Sequence, residues 1–224
     1  MPKKLTAINE LLAVMAKLRS PEGCPWDREQ DHMTLRFHAV EEVYELMDAI
    51  EAGDDVEMEE ELGDLLLQVV FHCQLAKERG AFDFERVARN IADKLIRRHP
   101  HVFGDVKVKN VDEVWANWDQ IKRAEKKGTK NERPSAFDGI PKHLPSLLRA
   151  EKLAKKSRKT KLLDGAKSKL SSTQLGEQLF TLAVEAQARG WSAEELLRRE
   201  SARRERAWRK AERAAAKAQS SRNL

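Results

Sequence analysis

The sequence predicts an all-α fold, and three observations support this. The 224-residue chain is rich in Ala, Leu, Glu, Lys and Arg, which favour helices. It has only ten Gly and seven Pro, and it lacks runs of β-branched residues, which argues against an all-β fold. Apolar residues recur at helical spacing, and the 41% of hydrophobic residues is enough to bury a core.

Four helices are predicted in the first half, each from an apolar stripe and its flanking residues. The first runs from Leu5 to Arg19 and precedes a loop at residues 20–25, which contains two Pro and one Gly. Asp83 is a predicted N-cap, while glycines and a proline end the helices. The predicted spans are 5–19, 33–53, 55–79 and 83–99, ended by Gly53, Gly80 and Pro100. The apolar face of the first helix comprises Ile8, Leu11, Leu12, Met15 and Leu18.

The pattern in the second half of the sequence predicts four more helices and a linker. Residues 128–145 are rich in Lys, Pro, Gly and Asn and indicate the linker. We expect the stretch from Ala214 onward to be frayed. The predicted helices span 112–127, 146–159, 172–189 and residues from Ala193 onward. The segment Leu62–Leu67 resembles Leu175–Phe180, and each precedes a glycine and an Arg-rich helix, which indicates a duplicated helical unit.

The distribution of charge and the lack of targeting signals limit where the protein is expected to act and which partners it is expected to bind. Residues 1–105 contain 22 acidic and 13 basic side chains, although the whole chain carries +5. The acidic half is suited to cations, and the basic half to phosphates, an acidic partner or water alone. No apolar stretch approaches the roughly 20 residues that cross a bilayer, and the N-terminus has no signal-peptide core. We therefore expect a cytoplasmic protein without a membrane partner, whose two Cys are reduced.

Acidic residues on the second and third helices form the most informative pattern. The third helix is apolar around most of its circumference and is predicted to be buried, although a polar stripe interrupts it. Buried carboxylates need a compensating cation, and hard oxygen ligands favour Mg²⁺ or Mn²⁺. The alternative is a set of surface acids paired with Lys and Arg. The polar stripe is Glu61, Asp64, Gln68 and His72, and the facing acids are Glu41, Glu42 and Glu45. The apolar side of the second helix, predicted to pack, is Val40, Val43, Leu46, Met47 and Ile50.

The fourth helix places basic residues beside this acidic pattern. Asp93 and Arg97 are four residues apart, so an ion pair on the helix surface is one interpretation. The functional interpretation is that Lys94 and an arginine, Arg97 or Arg98, bind phosphate oxygens. Carboxylates that hold divalent cations next to such residues are typical of a phosphoryl or nucleotidyl hydrolysis site.

These motifs resemble those of the MazG nucleoside triphosphate pyrophosphohydrolases. Glu41-Glu-Val-Tyr-Glu45 and Glu61-Leu-Gly-Asp64 are similar to the EExxE and ExxD motifs of that family, and the flanks Gly23–Asp27 and Asp93–Phe103 agree. The resemblance implies a helical bundle that dimerises. It also implies Mg²⁺-dependent cleavage of a nucleoside triphosphate between its α and β phosphates, which yields the monophosphate and pyrophosphate.

The resemblance also implies roles for individual residues. Glu41 would support the metal ligands or help to deprotonate the attacking water, and Asp93 would orient the substrate or water. Trp26 would stack on the base, or alternatively cap the core. The implied metal ligands are Glu42, Glu45, Glu61 and Asp64. The implied catalytic residues are Glu41, Glu42 and Lys94, and the implied substrate-binding residues are Asp93, Lys94, Arg97, Arg98 and Trp26.

The second copy departs from the family pattern, because Gln174 and Glu177 stand where the first copy has Glu61 and Asp64. We therefore predict a catalytic domain at residues 1–127, a linker at 128–145 and a degenerate second unit at 146–224. An inactive first copy, and substrates such as dUTP or phosphoribosyl-ATP, remain alternatives.

A nucleic-acid-binding or regulatory protein is the alternative from another class. Its basis is a dense basic segment near the end of the chain. Helical pairs such as Glu200–Arg204 and Glu205–Arg209 favour a solvated helix instead, so nucleic acid is not an expected partner. The expected partners are nucleoside triphosphates and a second copy of the chain. The basic segment comprises Arg198, Arg199, Arg203, Arg204, Arg206, Arg209, Lys210 and Arg213.

Overall fold

The computed structural model describes residues 6–130, 132–163 and 169–220, and every regular element in that part of the chain is an α-helix. The predicted all-α fold is confirmed. The chain divides into two compact units, Met1–Trp118 and Asp119–Leu224. Throughout the described residues, each helix is too short or too polar to span a lipid bilayer. The helices are α1 (Ala7–Leu18), α2 (Pro25–Glu29), α3 (His38–Ala52), α4 (Asp55–Glu78), α5 (Phe84–Arg98), α6 (Pro100–Phe103), α7 (Val111–Ala124), α8 (Ser146–Lys159), α9 (Ser172–Ala188) and α10 (Ala193–Ser220).

The core of the first unit joins α1 to the C-terminal half of α4. Its fully buried members are Met15, Leu35, Val70, Phe71 and Leu75. The predicted apolar face of α1 is confirmed, because Ile8, Leu11, Leu12 and Leu18 pack on this cluster together with Met15. The predicted start of the helix at Leu5 lies outside the described residues.

Local hydrogen bonds set the helix ends. Gly53 and Gly80 adopt φ of 68° and 69°, the left-handed conformation that ends a helix at low cost for glycine. The Asp83 carboxylate accepts a hydrogen bond from the Arg86 N–H at 2.9 Å, which confirms the predicted N-cap. Helix α3 begins at His38 and not at the predicted 33–34. The reason is that the Asp31 carboxylate accepts from the N–H groups of Met33 and Thr34, which holds that segment in a turn.

Two short helices were not predicted. Helix α2 (Pro25–Glu29) lies next to the expected loop at residues 20–25, and α6 (Pro100–Phe103) follows the predicted terminator Pro100. Each begins with proline, whose fixed φ and missing N–H are favourable at a first helical position. The sequence interpretation treated both prolines only as helix breakers.

Helices α3 and α4 pack against each other, but of the five apolar α3 residues that we predicted to pack only Leu46 is partly buried. Val40, Val43, Met47 and Ile50 are 41–56% exposed, whereas Ala49 is buried and Glu42 partly buried. The N-terminal half of α4 is also less buried than predicted, because Leu62, Leu66 and Val69 are 39–51% exposed. Periodicity had identified the stripes correctly, but it does not say which stripe packs within the chain. In this chain the acidic side of α3 faces α4, and most of the apolar side faces outward.

The second unit is built on the packing of α8 against α10. Phe137, which is buried, stacks on Trp208 with ring centroids 5.8 Å apart. Arg149 of α8 and Glu205 of α10 form a largely buried ion pair, and Arg209 binds Asp138 at 2.6 Å. Helix α10 continues to Ser220, so residues 214–220, for which we expected fraying, are helical in this structure. Residues 221–224 lie outside the described part of the chain.

Candidate metal centre

A tight connection between α3 and α4 brings their acidic residues together. Gly53 ends α3, and the Asp54 carboxylate caps α4 by accepting from the N–H groups of Val56 and Glu57 at 3.0 and 3.2 Å. The two helices therefore form a hairpin with antiparallel axes, in which residues before the turn face residues after it. Glu42 and Glu45 of α3 are one turn apart and point towards the second turn of α4, where Glu61 lies.

Three of the four predicted metal ligands meet. One carboxylate oxygen from each of Glu42, Glu45 and Glu61 lies within 4.8 Å of the other two. Asp64, the fourth predicted ligand, is not part of this group of three, but its charge acts on Glu42 and on Glu61. We call Glu42, Glu45 and Glu61 the carboxylate trio.

The trio is electrostatically strained in the absence of a cation. Burial is the largest cause that raises the pKa of Glu42 above its ordinary value, followed by the charge of Asp64. Burial likewise raises the pKa of Glu61, followed by the charges of Glu45 and Asp64. Like charges held together disfavour their own ionised forms, and a bound cation would reverse this effect.

Hydrogen bonding around the trio leaves acceptors unused. The Gln68 side chain donates to Glu42 Oε1 at 3.2 Å and holds that carboxylate in place. Among the described residues, Glu61 Oε2 and Gln68 Oε1 are buried without a hydrogen-bond donor. Unsatisfied buried oxygens are costly, and a hard divalent cation with its bound water can use them. The donor set therefore fits a Mg²⁺ or Mn²⁺ ion. Gln68 was placed on the stripe from the sequence but was given no role in the site.

Two further candidate site residues are Glu41 on α3 and Trp26 on α2. Glu41 is exposed, and His38 Nδ1 approaches its carboxylate at 3.6 Å. Trp26 lies on α2, where its ring contacts the edges of His38 and Phe71 at centroid distances of 6.3 and 6.5 Å. Because 53% of Trp26 remains exposed, the ring both contacts the core and presents a surface to solvent.

Arg19 holds the short segment that carries Trp26, and no pattern in the sequence indicates this. Its guanidinium donates two hydrogen bonds to Glu78 at 2.7 Å each. It also donates to the backbone carbonyls of Asp27, in the middle of α2, and Gln30, which follows it. A basic residue near the end of a helix usually only complements the helix dipole, so its position in the sequence does not reveal a clamp.

The candidate phosphate-binding residues lie on α5, which packs against α4. Lys94 is partly buried, whereas Asp93 and Arg97 are exposed and Arg98 is partly buried. No hydrogen bond or ion pair within the described residues joins Lys94 to the carboxylate trio. The structure thus brings together three of the four predicted metal ligands. The predicted phosphate-binding residues lie on the neighbouring helix α5.

Two histidines form a hydrogen-bonded pair, one of them on α4. His32 and His72 approach each other through their Nδ1 atoms at 2.8 Å, with their rings stacked. Burial lowers the pKa of His72, which keeps it neutral at neutral pH. Both cysteines are free, and burial raises the pKa of the Cys73 thiol.

The described residues of the predicted second copy do not reproduce this centre. Gln174 is the third residue of α9, and its side chain accepts from the Ser171 N–H at 2.9 Å as half of a capping box. In α4, by contrast, Glu61 lies well inside the helix. Glu177 is exposed, as is every residue of α9 except Ala186. Gln174, which corresponds to Glu61 of the first copy, therefore serves to cap the start of α9.

The fold and the carboxylate trio together define an all-helical protein with a candidate divalent-metal centre on a helical hairpin. Residues 30–103, which contain the whole trio, match the family described as the MazG nucleotide pyrophosphohydrolase domain. The chain belongs to this MazG family.

Three relatives illustrate the relationship. The chain is 48% identical over 145 residues to the nucleoside triphosphate pyrophosphohydrolase of Escherichia coli K12, which covers 64% of this chain and 54% of that protein. It is 54% identical over 124 residues to the nucleoside triphosphate pyrophosphohydrolase/pyrophosphatase MazG of Thermotoga maritima, over 55% of this chain and 47% of that protein. It is 39% identical over 191 residues to an uncharacterized 26.1 kDa protein of Streptomyces cacaoi, and this match covers 84% of this chain and 76% of that protein. The chain thus spans about half the length of the first two.

Proposed function

We propose that this protein hydrolyses nucleoside triphosphates between the α and β phosphates, releasing the monophosphate and pyrophosphate. The observation that carries the proposal is the meeting of three carboxylates from two helices within 4.8 Å, with two of their pKa values raised and buried oxygens unsatisfied. The names of the E. coli and Thermotoga relatives point to the same activity.

The proposed cofactor is Mg²⁺, with Mn²⁺ as a substitute. Glu42, Glu45 and Glu61 would hold it, and Asp64 would complete the set. When bound, such an ion neutralises phosphate charge and lowers the pKa of a bound water. The hydrogen bond from Gln68 keeps the Glu42 carboxylate oriented towards the site. Less conformational freedom of this side chain is therefore lost when a metal ion binds.

The remaining roles follow from charge and position. We assign Glu41 to support the ligands or to accept a proton from the attacking water, since its carboxylate is exposed next to them. Lys94, Arg97 and Arg98 would bind the phosphates, and Asp93 would orient the substrate or the water. The exposed face of Trp26 would stack on the base.

The organisation predicted from the sequence is part of this proposal. The catalytic region comprises residues 1–127, residues 128–145 link it to the second unit, and 146–224 form a degenerate copy without a metal centre. A homodimer would cover the outward apolar side of α3, and the nucleotide pool on which the enzyme acts would place it in the cytoplasm.

Product analysis over a panel of substrates tests the proposal. We expect release of pyrophosphate and monophosphate from some of the common ribo- and deoxyribonucleoside triphosphates with Mg²⁺, and none after chelation. The variant Glu42→Gln should lower turnover at least about 100-fold while leaving helix content unchanged by circular dichroism. Its matched control is Glu51→Gln, which removes an exposed acid of the same helix outside the trio. Release of diphosphate and inorganic phosphate would contradict the assigned bond. Turnover only of dUTP or phosphoribosyl-ATP would keep the centre but change the substrate class.

A further inference from the structure

The charges of α10 fall into two segments that differ in how they are neutralised. In the first segment, the arginines pair with glutamates one turn earlier. The pKa of Glu200 is lowered to about 2 by hydrogen bonds from Arg203 and Arg204. These contacts confirm the predicted surface pairs, including Glu200–Arg204 and Glu205–Arg209. The pairs are Arg198–Glu194, Arg199–Glu195, Arg203–Glu200, Arg204–Glu200 and Arg209–Glu205.

The second segment presents cations without such pairs. Arg206, Lys210 and Arg213 are spaced at i, i+4 and i+7, so they lie along one face of the helix over about 10 Å. All three are exposed, and none forms a hydrogen bond or ion pair with a described residue. Together with Arg209 they line one shallow depression on the surface of α10. We call Arg206, Lys210 and Arg213 the cationic face.

The rest of α10 fixes the orientation of this face. Trp208 stacks on Phe137, and Arg209 is bound by Asp138 at 2.6 Å and by Glu205 at 2.8 Å. Glu212 is the one acid between residues 206 and 217, and its carboxylate accepts from the Ala136 N–H at 2.9 Å. These contacts turn the acids and the aromatic ring of the segment towards α8 and the loop before it. The cations on the other side are therefore left uncompensated.

We infer that the cationic face binds the phosphate backbone of double-helical nucleic acid. Evenly spaced Arg and Lys side chains match a regular row of phosphates, and arginine binds phosphate oxygens in a fork. A protein partner would need apolar or aromatic anchors, but the one large apolar side chain between Arg206 and Arg213 is Trp208, which stacks on Phe137. A single strand would need exposed aromatic rings for stacking, and Trp208 is occupied by Phe137.

This site is separate from the proposed hydrolytic centre, since it lies in the second unit and uses none of the residues assigned to catalysis. It also revises the expectation that nucleic acid is not a partner. That expectation rested on helical ion pairs, and the structure provides such pairs only for the arginines up to Arg204 and for Arg209.

Fluorescence anisotropy of the full chain with a labelled 20-base-pair DNA duplex of random sequence tests the inference. For three phosphate contacts, we expect the logarithm of the binding constant to fall with the logarithm of salt concentration with a slope of about −2.7. The triple variant Arg206→Gln, Lys210→Gln, Arg213→Gln should weaken binding at least about 10-fold at low salt and bring the slope close to zero. Its pyrophosphate release from nucleotides should remain unchanged, which separates this test from that of the proposed function.

The matched control removes the same amount of charge from the same helix. The triple variant Arg199→Gln, Arg203→Gln, Arg204→Gln should retain duplex binding, because those arginines are already paired. Equal loss in both triple variants would mean that net charge alone acts, and would overturn the inference. So would tighter binding of polyglutamate or of single-stranded DNA than of the duplex, or no binding by the unmodified protein at 50 mM salt. Equal binding of an RNA duplex would support recognition of the shared backbone.

Discussion

Arg19 illustrates how a single side chain fixes the segment that carries Trp26. It joins the end of α1 to Glu78 at the end of α4 and to the carbonyls of Asp27 and Gln30. The guanidinium also lies over the Phe71 ring, 5.6 Å from its centroid. Its side chain is only 9% exposed, so its hydrogen bonds operate in a largely dry environment. The position of Trp26 therefore depends on a residue that has no catalytic role.

The Arg19–Glu78 pair predicts a specific dependence of stability on pH. The hydrogen bonds from Arg19 hold the pKa of Glu78 below its ordinary value of 4.5. The stabilisation is therefore complete above that value, and it is lost as pH falls through the lowered pKa of the folded state. The variant Glu78→Gln should lose about 1 kcal/mol of unfolding free energy at pH 7, a modest value because the carboxylate is partly exposed. Its difference from the unmodified protein should shrink progressively as the pH falls below 4.5 in urea titrations.

A control for this prediction is Glu85→Gln, which removes an ion pair with Arg89 whose two side chains are each 69% exposed. We expect a change below about 0.5 kcal/mol across the same pH range, because exposed pairs at this spacing contribute little. A constant deficit for Glu78→Gln from pH 7 to pH 3 would show that packing, and not ionisation, gives the residue its effect.

At the scale of helices, the sequence predicted periodic features well and non-periodic ones poorly. The apolar face of α1, the cap Asp83 and the ends at Gly53 and Gly80 all follow from local chemistry, and all are confirmed. Helices α2 and α6 are too short to show a period, and their first prolines were interpreted as breakers. The carboxylate trio was predictable because both stripes are periodic. The Gln68 hydrogen bond and the clamp of Arg19 depend on which faces meet, and one-dimensional spacing does not encode this.

The outward apolar side of α3 predicts that the chain self-associates. Val40, Val43, Met47 and Ile50 form a stripe on α3 that no described residue covers well. A contiguous apolar surface of this kind favours an interface, and a stable one buries roughly 1,200–2,000 Å². The double variant Val43→Lys, Met47→Lys should convert a dimer into a monomer in light scattering after gel filtration, with helix content retained. The matched control Val14→Lys changes one exposed apolar residue on α1 and should leave the mass unchanged. A monomeric unmodified protein at micromolar concentration would contradict the prediction.

For the whole molecule, the two segments that we interpret as copies of one helical unit differ in what they can do. The first retains a helical hairpin on which two acidic stripes meet, and the second has no described helix that corresponds to α3 beside α9. Without a facing helix, a carboxylate at position 177 has no partner with which to share a cation. The division of charge along the sequence follows the same separation. Acids are concentrated where they would bind a cation, and bases are concentrated on the unit that lacks the centre.

This asymmetry predicts that equivalent substitutions in the two copies have unequal effects. Asp64 and Glu177 occupy the same place in the repeated segments that begin at Leu62 and Leu175. Asp64→Asn removes a charge that acts on both Glu42 and Glu61, so we expect pyrophosphate release to fall at least about 100-fold and Mg²⁺ binding by calorimetry to weaken. Glu177→Gln removes an exposed acid that belongs to no carboxylate cluster within the described part of the chain, and it should change neither quantity by more than about twofold. If Glu177→Gln abolished turnover while Asp64→Asn did not, catalysis would belong to the second copy. If both variants were inactive, the two copies would have to act together in one site, which the capping role of Gln174 argues against.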